Sequence, residues 1–344
     1  DHFSIYQNEN RLRLLKIADD RDAIRPQALG RFRELLQASA TSPAMLDYLD
    51  NARSVVDGPN ENYARELLEL HTLGVDGGYT EQDVREVARC FTGWSVERQG
   101  PERGEFRFYP QFHDDGEKQV LGVILPPGQG VADGEQVLDI LAAHPSTARF
   151  IAEKLCRRLV ADTPPKDLVE QVAVSFRNSA GDVRTLLRTI LASEAFRQAP
   201  DAKFKRPVEY IGALVRTLEL TPEHPLALPL THQVQVMGQA PFSWEPPNGY
   251  PDTQGYWAST NGLLVRWNTA FGLGRTVLAE ELGLVPEQLP PDTLVDWLSE
   301  RLLRRPLAPD DRDRLIAYAL TLPPAEQAPA LGAMMLASAY FQLR

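Results

Sequence analysis

The chain has 344 residues, of which 43% are hydrophobic and 24% are charged, proportions typical of a globular protein rather than a disordered one. Its 36 Lys and Arg residues against 47 Asp and Glu residues give a net charge of −11, which disfavours binding to nucleic acids and to membrane surfaces. No apolar run approaches the roughly 20 residues needed to span a bilayer, so we expect no membrane span in this chain.

The two cysteines and the first residues bear on the compartment. Cys90 and Cys156 lie in apolar helical contexts, where one disulfide or two buried free thiols fit equally well. Residues 1–4 carry neither an initiator Met nor a signal-peptide pattern, so we expect the chain to be the remainder of a longer precursor. The chain's own residues therefore do not fix its location.

Helical periodicity dominates the first third of the chain. Apolar residues at helical spacing predict interrupted helices from Arg11 to Ala52, then helices from Asn62 to Leu73 and from Glu81 to Thr92. Between residues 100 and 125 the pattern changes to short alternating runs, which predict two strands, 106–108 and 120–124, around the polar turn 114–116. We interpret this region as a small β-hairpin insertion.

The rest of the chain again reads as helices. Spacing and punctuation predict helices at Glu135–Ala143, Ser146–Val160, Leu168–Phe176, Val183–Phe196 and Pro207–Leu218. Ser146 and Asp182 are the expected N-caps of two of them. A Pro- and aromatic-rich loop occupies 241–256, and from Trp257 onward four helices are separated by Pro286, Pro306 and 323–324. The predicted fold is mainly α, a multi-helix, bundle-like single domain over 1–344.

The segment Pro59–Trp94, called the motif segment below, reads as a helical hairpin with well-defined ends. Asn60 is the expected N-cap of the first helix, and Gly74 is the expected left-handed residue that ends it. Thr80 and Asp83 have capping-box spacing at the start of the second helix, which Gly93 ends.

The motif segment contains more polar groups than a hairpin requires, and those of its first helix are Asn60, Glu61, Asn62, Arg65, Glu66, Glu69 and His71. Asn62 and Glu66 are four residues apart and share one helix face, with Glu69 beside them. Such a group could coordinate a metal or carry out acid–base chemistry. Alternatively, Glu61–Arg65 and Arg65–Glu69 are solvated ion pairs at helical spacing.

Arg89 lies next to the apolar face of the second motif helix. Its side chain either extends outward to solvent or pairs with a buried carboxylate such as Glu66 or Glu86. We favour the structural ion pair.

The predicted turn after the motif segment carries His113, Asp114 and Asp115, followed by Lys118. A histidine and carboxylates on a turn could bind a divalent cation, whereas an acidic turn capped by a histidine would give the same sequence. If the β-hairpin folds over the face that holds Asn62 and Glu66, the two groups form one site. The candidate catalytic residues are Glu61, Glu66, His113 and Asp114, and the candidate metal ligands are Glu66, His113 and Asp114.

The loop 241–256 offers a second kind of candidate site. Trp244, Tyr250 and Trp257 could line a groove for a sugar ring or another flat apolar face, but such aromatics more often pack on neighbouring helices. We favour packing. The candidate binding residues of the whole chain are Asn60, Asn62, Arg65, Arg89, Trp244, Tyr250 and Trp257.

The order of these residues resembles one known family. The strings Pro-Asn-Glu-Asn-Tyr-Ala-Arg-Glu-Leu, Thr-Leu-Gly, Tyr-Thr-Glu-Gln-Asp-Val-Arg-Glu and Phe-Thr-Gly-Trp of the motif segment resemble the defining motif of the bacterial family called domain of unknown function 1800. The likeness continues over nearly the whole chain, at 48–51, 112–114, 149–155, 205–207 and 246–248, and at Trp257, Asn261 and Arg266. Gly249-Tyr250 stands where the family usually has Gly-Trp, and the family usually has a further helical region before its His-Phe, here His2-Phe3.

The resemblance implies an exported bacterial protein, periplasmic or extracellular, often encoded beside a protein similar to alkaline phosphatases and sulfatases. It implies no known reaction. Two functions stay open: a binding or assembly module that works with the phosphatase/sulfatase-like partner, or an exported hydrolase using the carboxylates and histidine above. The cofactor is unknown, and a divalent cation is the one that these residue types suggest.

Overall fold

The computed structural model describes residues 1–8, 12–276 and 289–344. The contacts within it divide the chain into two compact units, the first formed by 1–198 with 242–250 and the second by 199–241 with 251–344. Helices make up most of both units, which confirms the mainly α fold. The predicted single domain over 1–344 stays a prediction.

The first unit contains eleven of the α-helices described. Their bounds are Leu12–Ala18 (α1), Arg25–Gln27 (α2), Phe32–Ala40 (α3), Pro43–Tyr48 (α4), Glu61–Glu66 (α5), Glu81–Cys90 (α6), Val131–Ala143 (α7), Pro145–Leu159 (α8), Lys166–Asn178 (α9), Val183–Leu191 (α10) and Glu194–Arg197 (α11). Two π-helical turns, Asp19–Ile24 and Leu67–Thr72, continue α1 and α5, and 3-10 turns lie at Asn51–Arg53 and Pro110–Phe112.

The strands lie near the predicted positions but pair differently. Trp94–Val96 (β1) pairs antiparallel with Phe106–Phe108 (β2), and Lys118–Val120 (β3) pairs antiparallel with Val123–Leu125 (β4). The predicted pairing across the turn 114–116 is therefore wrong. Three-residue strands have too little periodicity to reveal their partners. β2 pairs with β1, which was not predicted as a strand, and β3 and β4 both overlap the single predicted strand 120–124.

One of the two predicted N-caps is confirmed. The Asp182 side chain accepts a hydrogen bond from the backbone N–H of Thr185 and caps α10. The cap of α8 is His144, not Ser146, because Pro145 occupies the first helical position, where its missing N–H is not needed. His144 Nδ1 accepts a hydrogen bond from the N–H of Ser146.

The interior of the first unit is apolar and aromatic. Its most deeply buried large side chains include Tyr63, Phe91 and Trp94, whose rings form edge-to-face contacts with centroids 4.9–5.2 Å apart. Cys90 and Cys156 are buried free thiols, so the second of the two cysteine interpretations is the correct one.

The regular elements described in the second unit are helices, joined by loops. Its α-helices are Pro207–Thr217 (α12), Ala227–Val236 (α13), Gln254–Trp257 (α14), Thr260–Thr276 (α15), Pro291–Leu298 (α16), Pro309–Ala319 (α17), Pro324–Ala337 (α18) and Ala339–Gln342 (α19), with a π-helical turn at Ser299–Leu303. Leu214, Leu298 and Leu331 are among the fully buried residues of its core. Pro286, a predicted helix boundary, lies outside the described residues.

None of the helices in the described ranges combines the length and the apolar character that crossing a bilayer requires.

Candidate functional site

The first motif helix begins and ends where the sequence predicts. The Asn60 side chain accepts a hydrogen bond of 2.8 Å from the backbone N–H of Asn62 and so caps α5. The helix continues through the π-helical turn Leu67–Thr72 to Gly74, whose φ of +84° is the left-handed conformation that ends helices. The widened turn is a local feature that apolar spacing does not reveal.

The second motif helix carries the predicted capping box and a further contact. The Thr80 hydroxyl accepts from the Asp83 N–H, while the Asp83 carboxylate accepts from the Thr80 N–H at 2.8 Å. The other Asp83 oxygen accepts from the N–H of Leu121 at 2.7 Å, in the turn between β3 and β4. Asp83 therefore caps α6 and also holds the β3–β4 hairpin against it.

Arg65 joins the two motif helices at the protein surface. Its guanidinium donates two hydrogen bonds to Glu81, of 2.7 and 2.8 Å, and one of 3.3 Å to Glu61. The side chains of Arg65, Glu81 and Glu61 are 36%, 62% and 41% exposed, so Glu61–Arg65 is the solvated pair that the second interpretation predicted, and the pair with Glu81 was not predicted. Hydrogen bonding to Arg65 lowers the pKa of Glu81. Among the described contacts, Arg65 pairs with Glu81 on α6 rather than with Glu69.

Asn62 and Glu66 differ in their hydrogen bonding. The Asn62 amide donates a weak hydrogen bond of 3.4 Å to the carbonyl of Leu49, on the preceding segment of chain. The half-buried Glu66 carboxyl has no hydrogen bond in the described part of the chain. Burial raises the pKa of Glu66, and the nearby Glu69 charge raises it further. Glu66 is thus a carboxyl of the first motif helix that the described contacts leave without a hydrogen bond.

Arg89 forms the structural ion pair that we favoured. Its guanidinium donates to Glu86 at 2.7 Å, one of the two predicted partners, and to both oxygens of Asp114 at 2.7 and 3.2 Å. This hydrogen bonding lowers the pKa of Asp114. Asp114 also accepts from the N–H of Gly116, so its carboxylate holds the turn 114–116 to α6.

His113 lies in the interior, with its side chain 0% exposed. Its Nδ1 is 2.8 Å from the carbonyl oxygen of Thr92, which can only accept, so Nδ1 carries a proton. Its Nε2 is 3.0 Å from a carboxylate oxygen of Asp133. The Thr92 hydroxyl accepts from the N–H of Asp114 and donates to the carbonyl of Arg89, which ties this end of α6 to the turn.

The Lys118 ammonium lies between Asp133 and the turn 114–116. It donates to Asp133 at 2.7 Å, to the carbonyl of Gly116 at 2.9 Å and to the carbonyl of Asp114. The Lys118 and Asp133 side chains are both 0% exposed. Three oxygens thus surround a buried cation that the chain itself supplies. We call His113, Lys118 and Asp133 the buried cluster.

Asp133 is the site residue that the sequence reasoning missed. The helix was predicted to begin at Glu135, which placed Asp133 in a loop, whereas α7 begins at Val131 and turns Asp133 inward. A carboxylate among Val131, Ala132 and Gly134 was the available signal. One of its oxygens, Oδ1, has no hydrogen-bond partner.

The predicted aromatic groove is not free in the structure. Tyr250 and Trp257 are 8% and 4% exposed. In the first unit, Trp244 packs on Tyr250 with ring centroids 5.1 Å apart and donates to Asn248 at 2.8 Å. In the second unit, Trp257 donates to the carbonyl of Pro251 at 2.8 Å. These contacts support the packing interpretation, and a binding role of the three aromatics stays a prediction.

The contacts described for the site residues fall into two sets. Arg89, His113 and Asp114 meet beside α6, whereas the charges that act on Glu66 are those of Glu69 and Arg65. A single site containing Glu66 and His113 stays a prediction. Across residues 1–8, 12–276 and 289–344, no three His, Cys, Asp or Glu side chains are placed to hold a metal ion together.

A cavity lies beside the end of the first motif helix. It has a volume of about 470 Å³ and is lined in part by Gly74, Val75, Arg149 and Phe150. A Cβ on Gly74 would lie 2.9 Å from the Phe150 ring, so the close approach of α8 requires glycine there. The exposed Arg149 side chain makes no ion pair with the described residues.

Comparison with known proteins gives one match. The model of the family described as Protein of unknown function (DUF1800) matches residues 1–343, essentially the full length of the chain. No curated protein and no solved structure matches the chain.

Proposed function

The chain belongs to the DUF1800 family, and from that premise we propose that it is a binding or assembly module whose motif segment holds the fold together. We further propose that it is exported, to the periplasm or the cell exterior, and that it works with the phosphatase/sulfatase-like protein encoded beside many members of the family. The location and the partner rest on the family resemblance.

The observation that carries the proposal is how the polar groups around the motif segment are used. Arg65, Arg89 and Asp114 are engaged in ion pairs within the first unit, and Asn60 caps a helix. The buried cluster is closed to solvent and holds its own cation, Lys118. A hydrolase requires its acid, base or metal to reach a substrate. Polar groups that are already bonded to one another within the fold favour a structural role.

The test is co-purification of the full-length protein with its co-encoded neighbour from the organism that produces both. We expect the neighbour to be retained in a constant ratio through size-exclusion chromatography. A tagged bait that never retains the neighbour, at any ionic strength at which both proteins stay folded, contradicts the proposal.

One observation favours the alternative of an exported hydrolase. Glu66 is half-buried, its carboxyl has no described hydrogen bond, and its pKa is raised, which are properties of a general acid. Glu66→Gln removes the titrating group at nearly constant shape. Metal analysis and hydrolase assays on the purified wild type and on Glu66→Gln separate the two functions. An activity that is lost in a folded Glu66→Gln protein supports the hydrolase and contradicts the module.

A further inference from the structure

Lys118 and Asp133 meet in the interior of the first unit, closed to solvent. The Lys118 Nζ lies 2.7 Å from Asp133 Oδ2, and both side chains are 0% exposed. The surroundings are apolar, since a Cβ on Gly134, the residue after Asp133, would lie 2.5 Å from the fully buried Trp94 ring. In such an interior an ammonium and a carboxylate lose the hydration that stabilises their charges in water.

The hydrogen bonds of the Lys118 ammonium fix its orientation. It donates to the carbonyls of Asp114 and Gly116 as well as to Asp133, so each of its three N–H groups is directed at one oxygen. If the proton shared with Asp133 passes to the carboxylate, the two carbonyls keep the two remaining N–H groups. The nitrogen lone pair then points at the Asp133 carboxyl group, and a desolvated neutral lysine is a good nucleophile.

His113 supplies a proton relay at the same carboxyl oxygen. Its Nδ1 donates to the carbonyl of Thr92, so the 3.0 Å contact between Nε2 and Asp133 Oδ2 requires a proton on one of these two atoms. The Phe108 ring packs edge-on against the imidazole, with ring centroids 5.3 Å apart. Oδ2 therefore receives hydrogen bonds from both sides, which is what a carboxyl oxygen needs in order to leave as water.

We propose that Lys118 and Asp133 join in an intramolecular isopeptide bond, an amide between Nζ and the side-chain carboxyl carbon, with His113 as the proton relay. Lys118 first transfers one proton to Asp133 Oδ2, and the neutral Nζ attacks Cγ to form the N–C bond. His113 then relays a second proton from the nitrogen to Oδ2, the Cγ–Oδ2 bond breaks, and the oxygen leaves as water. The ion pair and the amide plus water have the same total charge, and the reaction uses no further reactant.

The fold supplies what this condensation lacks in free solution. In water, amines and carboxylates stay ionised at neutral pH and do not condense. Groups held in reacting geometry gain effective concentrations of roughly 10⁵–10⁸ M, and a closed interior keeps bulk water away from the product. Because the bond forms within the isolated chain, the proposal is independent of the partner proposed above.

A second buried pair of the same residue types serves as an internal comparison. Lys16 Nζ lies 2.5 Å from Asp19 Oδ2, and the two side chains are 5% and 1% exposed. In the described part of the chain no histidine is hydrogen-bonded to Asp19, and Lys16 makes this one hydrogen bond, so its lone pair is not directed. We therefore expect Lys16 and Asp19 to remain an ion pair.

Mass spectrometry of the purified full-length protein, denatured after folding, tests the bond directly. We expect the chain to be lighter than its sequence by one water molecule. Cleavage after glutamate, at Glu117 and Glu135, should release the peptide 118–135 with the same deficit. Trypsin should fail to cleave after Lys118, whose side chain is now an amide, and should cleave normally after Lys16. The full sequence mass in folded protein overturns the proposal.

Tryptic cleavage also excludes the one product of equal mass in this peptide. Asp133 is followed by Gly134, and such a pair can lose water by closing a backbone succinimide, which leaves the Lys118 amine free. A deficit of one water together with cleavage after Lys118 therefore overturns the proposal as well.

Variants assign the roles of the three side chains. Lys118→Met and Asp133→Ala should each restore the full mass of the peptide 118–135. His113→Gln keeps both joined groups but removes the relay, so we expect the bond to form at least about a hundredfold more slowly in the folded variant, followed as the cross-linked fraction over time. His232→Gln is the matched control, because His232 is exposed and lies outside the cluster. Equal rates in wild type and folded His113→Gln contradict the relay.

Discussion

Two charged clusters border the second motif helix, and they differ in their exposure to water. On one side, Arg65, Glu61 and Glu81 form pairs that are 36–62% exposed. On the other, the side chains of the buried cluster, His113, Lys118 and Asp133, are 0% exposed. Surface pairs contribute little to stability, whereas a buried charge that loses its partner is strongly destabilising. The same residue types are therefore expected to contribute very differently to stability in the exposed and the buried cluster.

The largest effect is expected from breaking the buried cluster. Asp133→Asn removes the one carboxylate that is bonded to the Lys118 ammonium in the described part of the chain, and it leaves an uncompensated charge in the interior. We expect a loss of about 3–5 kcal/mol in the free energy of unfolding, measured by urea denaturation. A loss below about 1 kcal/mol would mean that water reaches the cluster.

The second prediction concerns pH and the buried His71, which lies in the π-helical turn of the first motif helix. Burial, with the Lys154 charge as a smaller cause, lowers the pKa of His71 from 6.5 to about 3. Between these values the unfolded chain binds the proton that the folded protein refuses, so stability falls as the pH falls from 6.5 towards 3. We expect a loss of about 2 kcal/mol at pH 5 relative to pH 7.5 from this group.

Replacing His71 isolates this contribution. His2 also has a pKa lowered mainly by burial, so a loss of the same sign remains in the variant. His71→Leu is expected to reduce the difference in the free energy of unfolding between pH 7.5 and pH 5 by the contribution of His71. An unchanged difference would contradict the burial of a neutral imidazole.

The third prediction compares two glycines of the motif segment with similar backbone angles. Gly74 has φ +84° and Gly78 has φ +88°, but a Cβ meets the Phe150 ring at Gly74 and nothing within 4 Å at Gly78. Gly78→Ala should lose about 1–2 kcal/mol through its backbone alone. Gly74→Ala should lose more, because the ring must also move. Equal losses would mean that the Phe150 ring on α8 shifts away from the added Cβ without an energetic cost.

The smallest effect is expected from the surface cluster. Arg65→Ala removes the pair with Glu81 that bridges α5 and α6 and the pair with Glu61 within α5, and we expect a shift in the urea midpoint smaller than that of Gly78→Ala. The shift should shrink further in 1 M salt, where exposed charges are screened. A shift as large as that of Asp133→Asn would remove the distinction between the two clusters.

Local signals were readable from the sequence, and distant contacts were not. Asn60, Gly74 and the Thr80–Asp83 pair were predicted because a cap depends on residues at most a few positions apart. Glu86 was one of the two partners predicted for Arg89, and the two residues are three apart on one helix.

Two of the errors share one cause, which is that the contacts join residues distant in the sequence. Asp133 meets Lys118 across 15 residues and His113 across 20, a meeting that no periodicity encodes. The strands of three residues gave no register, so β2 was assigned to β3 instead of β1. The helix start at Pro145 is different, because the signal was present in the proline itself and was overlooked.

Co-purification of the proposed partner with the double variant Lys118→Met/Asp133→Leu tests most directly whether the buried cluster serves only to stabilise the fold. Replacing a buried ion pair with apolar residues of similar volume is often tolerated, so the variant is expected to fold. If the cluster serves only the fold, the folded variant retains the proposed phosphatase/sulfatase-like partner to the same extent as the wild type. A folded variant that has lost the partner, or has lost an activity of the wild type, would contradict this conclusion.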